Sequence, residues 1–157
     1  MELTQGLPDA KVTLREITRD SLRVILDLKV SKEQEQFVAS NAVSIAEAHF
    51  SDEHSPWFRA IYADKTPVGF VMLGEMPEKG LHFLWRLMVD EKYQGRDYGR
   101  KALELVIQHI KTMTSTKELL TSCHDGKGSP KGFYLKMGFV ETGEKLDNGE
   151  IVMKLKF

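Results

Sequence analysis

Between Leu84 and Ala102 the chain changes character twice in under twenty residues, and this stretch constrains the fold more than any other. It opens as an apolar run, Leu84-Trp-Arg-Leu-Met-Val89, and passes through the polar turn Asp90-Glu-Lys-Tyr-Gln-Gly-Arg-Asp-Tyr-Gly99. Beyond Gly99, apolar side chains recur at Ala102, Leu103, Val106, Ile107, Ile110 and Met113, the stripe of an amphipathic helix. Strand, short loop and helix N-terminus together gather unpaired backbone N–H groups and the positive end of a helix dipole in one place. Such a turn suits phosphate, and Arg96, Arg100 and Lys101 add cationic side chains beside it.

The remaining totals narrow the class. At 157 residues the chain is long enough for one domain with a real core, read as residues 1–157. A net charge of −1 gives no electrostatic case for nucleic acid or an anionic membrane surface. The one cysteine, Cys123, excludes an internal disulfide and a cysteine-based metal cluster. No apolar run approaches the roughly 20 residues of a membrane span, and the first residues lack the basic and apolar regions of a signal peptide. A cytoplasmic enzyme-sized domain is expected.

Read in order, alternating residues 12–17 predict a first strand, and Asp20 or Ser21 caps a helix through Leu28. Ser40 or Asn41 opens a second helix ending near Phe50. Residues 57–62, 68–73 and 81–89 predict three strands in a meander, with turns at 63–67 and 76–80. The helix after Gly99 leads to a strand over 118–123, so that strand and the third of the meander should lie parallel. Ser129 as N-cap and Pro130 at the first helical position start a short helix that stops at Gly138. Residues 139–142 and 151–155 close the order β-α-α-β-β-β-α-β-α-β-β as an antiparallel pair across Asp147-Asn148-Gly149.

Two motifs in this order resemble a known family. Gln94-Gly95-Arg96-Asp97-Tyr98-Gly99 resembles the acyl-CoA pyrophosphate loop of the GCN5-related N-acetyltransferases (GNAT), Gln/Arg-x-x-Gly-x-Gly/Ala, with Asp97 in place of the middle glycine. Aspartate tolerates positive φ better than most residues and caps helices well, but its carboxylate opposes a diphosphate. Gly128-Ser-Pro-Lys-Gly-Phe-Tyr-Leu-Lys-Met-Gly-Phe139 resembles the same family's helix-strand signature, with Tyr134 on its tyrosine and Gly138-Phe139 on its Gly-Phe step. The element order is also the family's. The resemblance therefore implies a single-domain α/β fold with a mixed, mostly antiparallel sheet of about seven strands and about four helices. Residues 84–88, the Gly-Ser-Pro loop and residues 36–47 further resemble bacterial spermidine/spermine (diamine) N-acetyltransferases.

The resemblance implies acetyl-CoA as acetyl donor, a polyamine as acceptor and a homodimer. It implies Tyr134 as proton donor to the sulfur, and a phenol with a reference pKa of about 10 keeps that proton at neutral pH. Leu87, Met88 and Val89 would meet the pantetheine arm through their backbone, and the segment from Gln94 to Lys101 (Gly95, Arg96, Asp97, Tyr98, Gly99 and Arg100 included) would meet the diphosphate. The family's pantetheine-holding asparagine is missing from the later loop, where Ser129 either replaces it or only caps the helix. A polycationic acceptor needs carboxylates spaced along a groove. Glu33, Glu35, Glu47, Asp52 and Glu53 lie in the helical region that covers the acceptor side in this family, and Trp85 joins them; a solvated acidic face is the alternative.

A primary ammonium must lose its proton before it attacks. Glu75 and His82, on strands leading toward the expected cleft, are the candidate bases, while His49, His54 and His124 have no spacing to favour them. Cys123 reads as a packed thiol at a strand's end. Two other functions fit the same residues: a GNAT enzyme for another amine (an antibiotic or a protein N-terminus), and a non-catalytic CoA-binding module, suggested by Asp97.

Overall fold

The computed structural model describes residues 9–51, 55–76, 80–113 and 116–157. Its elements follow the expected order: β1 (Val12–Arg15), α1 (Leu22–Asp27), α2 (Asn41–Phe50), β2 (Trp57–Ala63), β3 (Thr66–Met76), β4 (Leu81–Val89), α3 (Tyr98–Met113), β5 (Glu118–Cys123), α4 (Lys131–Lys136), β6 (Val140–Lys145) and β7 (Ile151–Lys156). A single 3-10 turn, Glu91–Tyr93, lies between β4 and α3. The strands form one seven-stranded sheet in the order β1-β2-β3-β4-β5-β7-β6. Every neighbouring pair is antiparallel except β4 with β5, as a helical crossover between them requires.

Each face of the sheet buries its own cluster. On one side Tyr98, Ala102, Leu103, Val106 and Ile110 of α3 pack with Val71, Leu73, Leu84, Leu119 and Cys123 of the sheet and with Tyr134 and Phe139. On the other, Ile25 of α1 and Ala48 of α2 pack with Ala60, Phe70, Met72 and Met88. The buried Asn41 amide donates to Ile25 O at 2.8 Å, tying α2 to α1. The helical stripe holds to Ile110, but Met113, at the last helical position, is 43% exposed because the helix has run past the sheet.

Local chemistry accounts for the boundaries. Ser40 caps α2 by accepting the Val43 N–H at 3.2 Å. Ser21 precedes α1 without such a bond, its hydroxyl being turned back to accept the Thr18 N–H at 2.9 Å. α4 opens one residue later than expected. Pro130 takes the cap position, and the Ser129 hydroxyl accepts the Lys131 N–H at 3.2 Å while donating to His124 O.

One irregularity sets up everything that follows. Met72 pairs with Arg86 but Leu73 pairs with Leu84, so Trp85 is an extra residue in β4 with no partner in β3. Such a bulge bends its strand and sharpens its twist. The parallel pairing of β4 with β5 is recorded at Phe83–Leu120 and Leu84–Thr121 and does not continue past the bulge. From Trp85 onward the two strands part, and the sheet has a fork.

Candidate active site

The fork opens a cleft of about 1220 Å³, bounded by residues from both sides of the sheet. Phe133 and Tyr134 enter from the α3/α4 layer, and Val38, Glu47 and Trp85 from the α1/α2 layer. The cleft therefore runs through the sheet between β4 and β5. Two reactants could approach each other there from opposite faces.

Along one wall, Leu87, Met88 and Val89 remain paired with β3 but lack a neighbour on the β5 side. In an antiparallel pair, alternate residues turn their N–H and C=O away from the partner. Alternate residues of this segment, and not all three, therefore present backbone groups to the cleft. At the crotch of the fork, the buried Thr121 hydroxyl donates to Leu84 O at 3.1 Å, holding the strands together where their ladder stops.

The turn after β4 is fixed from several directions. Buried Asp90 accepts the N–H groups of Lys29 and Lys92, each at 2.9 Å, and its own N–H donates to Val68 O at 2.8 Å. The Gln94 amide donates to Val89 O at 2.9 Å and to the Gln34 side chain at 2.8 Å. Gln94, Gly95, Asp97, Tyr98, Gly99 and Arg100 all line the cleft. Lys101 N–H makes the bond to Asp97 O, at 3.1 Å, that starts α3. The amides ahead of it have no acceptor within the helix, and this end of α3 forms part of the cleft wall.

Asp97 takes φ of +69°, the left-handed conformation a glycine would adopt most easily. Its carboxylate is held by Arg100, whose Nε lies 2.9 and 2.8 Å from the two oxygens. That guanidinium also pairs with Glu104, so two carboxylates share it. The Arg100 hydrogen bond keeps the Asp97 pKa below the usual carboxylate range. Tyr98 is a core residue, 1% exposed, that meets the cleft from inside the α3 cluster. Arg96 and Lys101 lie beside the loop and outside the cleft lining; Arg96 sits over the Tyr93 ring, 5.8 Å from its centroid.

Tyr134 is 6% exposed, with its ring 5.3 Å from that of Phe139 and its side chain beside Thr121 at the fork. Burial pushes its pKa up to about 12, with the Thr121 hydroxyl opposing and the charges of Cys123 and Glu150 reinforcing. The phenol therefore holds its proton throughout the neutral range. Cys123 is buried in the core, and desolvation raises its thiol pKa, as suits a packed residue. Ser129 lines the cleft, though its hydroxyl is engaged with His124 O, the Lys131 N–H and Cys123.

Glu75 and His82 do not line the cleft. They face each other across β3 and β4, 6% and 1% exposed, at the end of the pair remote from the fork. The Glu75 carboxylate lies 3.0 Å from His109 Nε2 of α3, and the His109 ring stacks on Trp57 at 4.0 Å. Alternation carries His82 to the same face as Leu84, against α3. Desolvation lowers the His82 pKa, with Glu75 opposing and His109 reinforcing.

The acidic candidates divide. Glu47 and Trp85 line the cleft, but the Glu47 carboxylate is ion-paired with Arg86 at 2.8 Å. Glu33 pairs with Lys127 at 3.2 Å, and Glu35 is exposed; neither lines the cleft. Asp52, Glu53 and His54 lie outside the described residues. Phe83, Thr121, Ser122, Asn148 and Glu150 also line the cleft without having been singled out in the sequence. The parallel pairing of β4 and β5 is the signal that could have pointed to Phe83, Thr121 and Ser122.

Known proteins share this fold. The chain is 32% identical over 148 residues to a spermine/spermidine N(1)-acetyltransferase of Bacillus subtilis (strain 168), covering 90% of this chain and 96% of that relative. Its fold matches the PaiA N-acetyltransferase of Thermoplasma acidophilum solved with coenzyme A (TM-score 0.68, 19% identity, 94% of this chain and 99% of that one). It also matches the spermidine N-acetyltransferase of Vibrio cholerae solved with CoA and spermine (TM-score 0.67, 17% identity, 92% and 95%). Residues 13–139 match the Acetyltransferase (GNAT) family, and the chain belongs to it.

Proposed function

We propose that this acetyltransferase acts on a primary amine of a polyamine such as spermidine or spermine. Membership of the family makes acetyl-CoA the donor, and the donor set along the cleft suits it. The unpaired side of β4 can take an amide-bearing arm as an added strand. The end of α3 and the Gln94–Gly99 loop can take a diphosphate, with Arg96 and Lys101 nearby and Arg100 shared between Asp97 and Glu104. Ser129 stands at the rim of the same cleft. When bound, acetyl-CoA supplies the thioester whose acetyl group passes to the amine nitrogen.

The observation that carries this reading is the fork itself, with Tyr134 at its crotch. Holding two reactants in line inside a closed site supplies much of the acceleration of such a transfer. A backbone N–H from the free side of β4 is placed to polarise a carbonyl oxygen as it gains charge. Tyr134 keeps its proton at Oη until a departing sulfur needs it, which a raised pKa favours in the resting state. Trp85 and the Glu47–Arg86 pair border the acceptor half.

The polyamine assignment rests on the curated relative named above together with that acceptor half. An acceptor panel tests it: spermidine, spermine, an aminoglycoside and a peptide N-terminus, each with acetyl-CoA and a readout of released thiol. Release with the polyamines is expected. Release with another amine but not with them sinks the assignment. The homodimer implied by the resemblance belongs to the same proposal, with the exposed edge strand β6 as an available surface. Among the described residues no helix is long and apolar enough to cross a membrane.

A further inference from the structure

Three carboxylates line the cleft, and they are not equivalent. Glu47 is paired with Arg86, and Asp97 with an Arg100 that it shares with Glu104. Glu150, at the foot of β7, is in no ion pair recorded among the described residues. Its carboxylate accepts from the Ser122 hydroxyl at 3.0 Å, and its backbone N–H donates to the Asn148 side chain at 3.0 Å. The Asp147-Asn148-Gly149 turn, with Gly149 at φ +89°, delivers it to the cleft.

The surroundings of Glu150 have a definite chemistry. In β5, Leu119 and Cys123 point into the α3 cluster, so Leu120 and Ser122 point to the opposite face. Val152 pairs directly with Ser122 and shares that face. Leu120 and Val152 thus form an apolar floor leading up to the carboxylate, with Leu146 at the rim. Across the fork stand Phe83 and Trp85, ring centroids 5.8 Å apart; Phe83 can lie over β3 there because Gly74 has no Cβ, which would sit 2.0 Å from its ring. A carboxylate with no ion pair among the described residues, aromatic faces and an aliphatic floor make a site for an alkylammonium ion.

We infer that Glu150, held by Ser122, is the carboxylate that anchors the acceptor's ammonium group beside Tyr134, with the alkyl chain running over Leu120 and Val152. The inference rests on the acetyltransferase reading of the cleft and adds to it the residue that selects a cationic acceptor. Glu150 and Tyr134 line the same cleft, so an amine bound at Glu150 shares that cleft with the group that keeps the proton. Glu150 lines the cleft, whereas Glu75 and His82 do not.

The test compares Glu150→Gln, Glu150→Asp and the unaltered protein with acetyl-CoA and spermidine. Glutamine can still accept from Ser122, so the turn should keep its shape while the charge is lost. The KM for spermidine should rise about tenfold or more in the glutamine variant, with the KM for acetyl-CoA within about twofold. Aspartate should restore part of the loss. Unchanged spermidine KM in Glu150→Gln overturns the inference while leaving the acetyltransferase reading intact. If the unaltered protein fails to acetylate spermidine, the polyamine reading falls, and calorimetry with spermidine on the CoA-loaded protein decides about Glu150. Binding that is lost in the glutamine variant supports the anchor; binding that is equal in both, or absent from the unaltered protein, overturns it.

Discussion

The two halves of β4 share a strand and differ in what borders them. From Leu81 to Leu84 the strand lies between β3 and β5; beyond the Trp85 bulge β3 is its remaining partner. The closed half contains ionisable side chains turned into the core, with Glu75 against His109 and His82 buried in the same layer. The open half contains backbone groups facing a cleft, a protonated phenol and a carboxylate with no ion pair among the described residues. Polar residue type on a strand therefore says little about chemistry until the missing neighbour is located. A buried polar group with partners on every side is architecture; one at a break in the ladder can meet a ligand.

If that contrast is right, substitutions in the two halves should fail in different ways. The largest effect is expected from Tyr134→Phe, which keeps the ring packed against Phe139 and removes the phenolic hydroxyl beside Thr121. Turnover should fall by about 10²- to 10⁴-fold with thermal stability nearly unchanged, read by steady-state kinetics alongside a melting curve. Turnover within about threefold of the unaltered protein would place the proton donor elsewhere.

In the closed half, His109→Ala should do the reverse. It takes away the partner of the buried Glu75 carboxylate and the ring stacked on Trp57. The expected cost is about 2–4 kcal/mol of stability, measured by denaturant unfolding, with turnover per folded molecule close to normal. A large loss of turnover at full stability would return Glu75 to the list of catalytic candidates.

This contrast also explains what could be read from the chain. Element order was legible because the helical stripe from Ala102 and the alternation of the strands follow from burying one face, a local property. The loop and the Gly138-Phe139 step were legible because their spacing is local too. The bulge was not legible: nothing around Leu84-Trp-Arg tells which residue of β4 lacks a partner, since register depends on β3, over ten residues away. Glu75 and His109 meet from 34 residues apart, and Ser122 and Glu150 from 28. Side-chain chemistry marked Glu75 and His82 as candidates, yet which face of the sheet they share could be settled only by tertiary packing. Glu150 sits in a turn-rich stretch that reads as a plain hairpin connection.

A smaller effect should appear in the pH dependence of stability. Burial lowers the His82 pKa, so the unfolded chain takes up a proton near the ordinary value of about 6.5 while the folded chain resists until lower pH. Over that interval the unfolded state binds more protons, and stability falls as pH falls. The stabilisation is thus present above about pH 6.5 and lost as pH descends through the folded value. Melting temperatures between pH 7.5 and 5.5 should decline, and His82→Leu should decline less steeply. Equal slopes would mean that the group titrating in the closed half is not His82.

The smallest effect tests the open half at its least ordinary residue. Asp97 combines a backbone conformation that glycine would adopt freely with a carboxylate that occupies Arg100. Replacing it by glycine relieves the positive φ, removes a negative charge from the mouth of a helix N-terminus and frees a guanidinium still shared with Glu104. The second and third changes favour an anion, and helix-terminus charge effects at exposed positions are worth about 0.3–1 kcal/mol. Asp97→Gly should therefore tighten CoA binding by roughly two- to fivefold in calorimetry, and the gain should shrink as salt is raised. Asp97→Ala separates the causes, because it removes the same charge but keeps a Cβ at positive φ. If alanine tightens binding as much as glycine does, the carboxylate alone opposes the diphosphate; if neither does, Arg100 already shields the loop from it, and the aspartate costs the open half nothing.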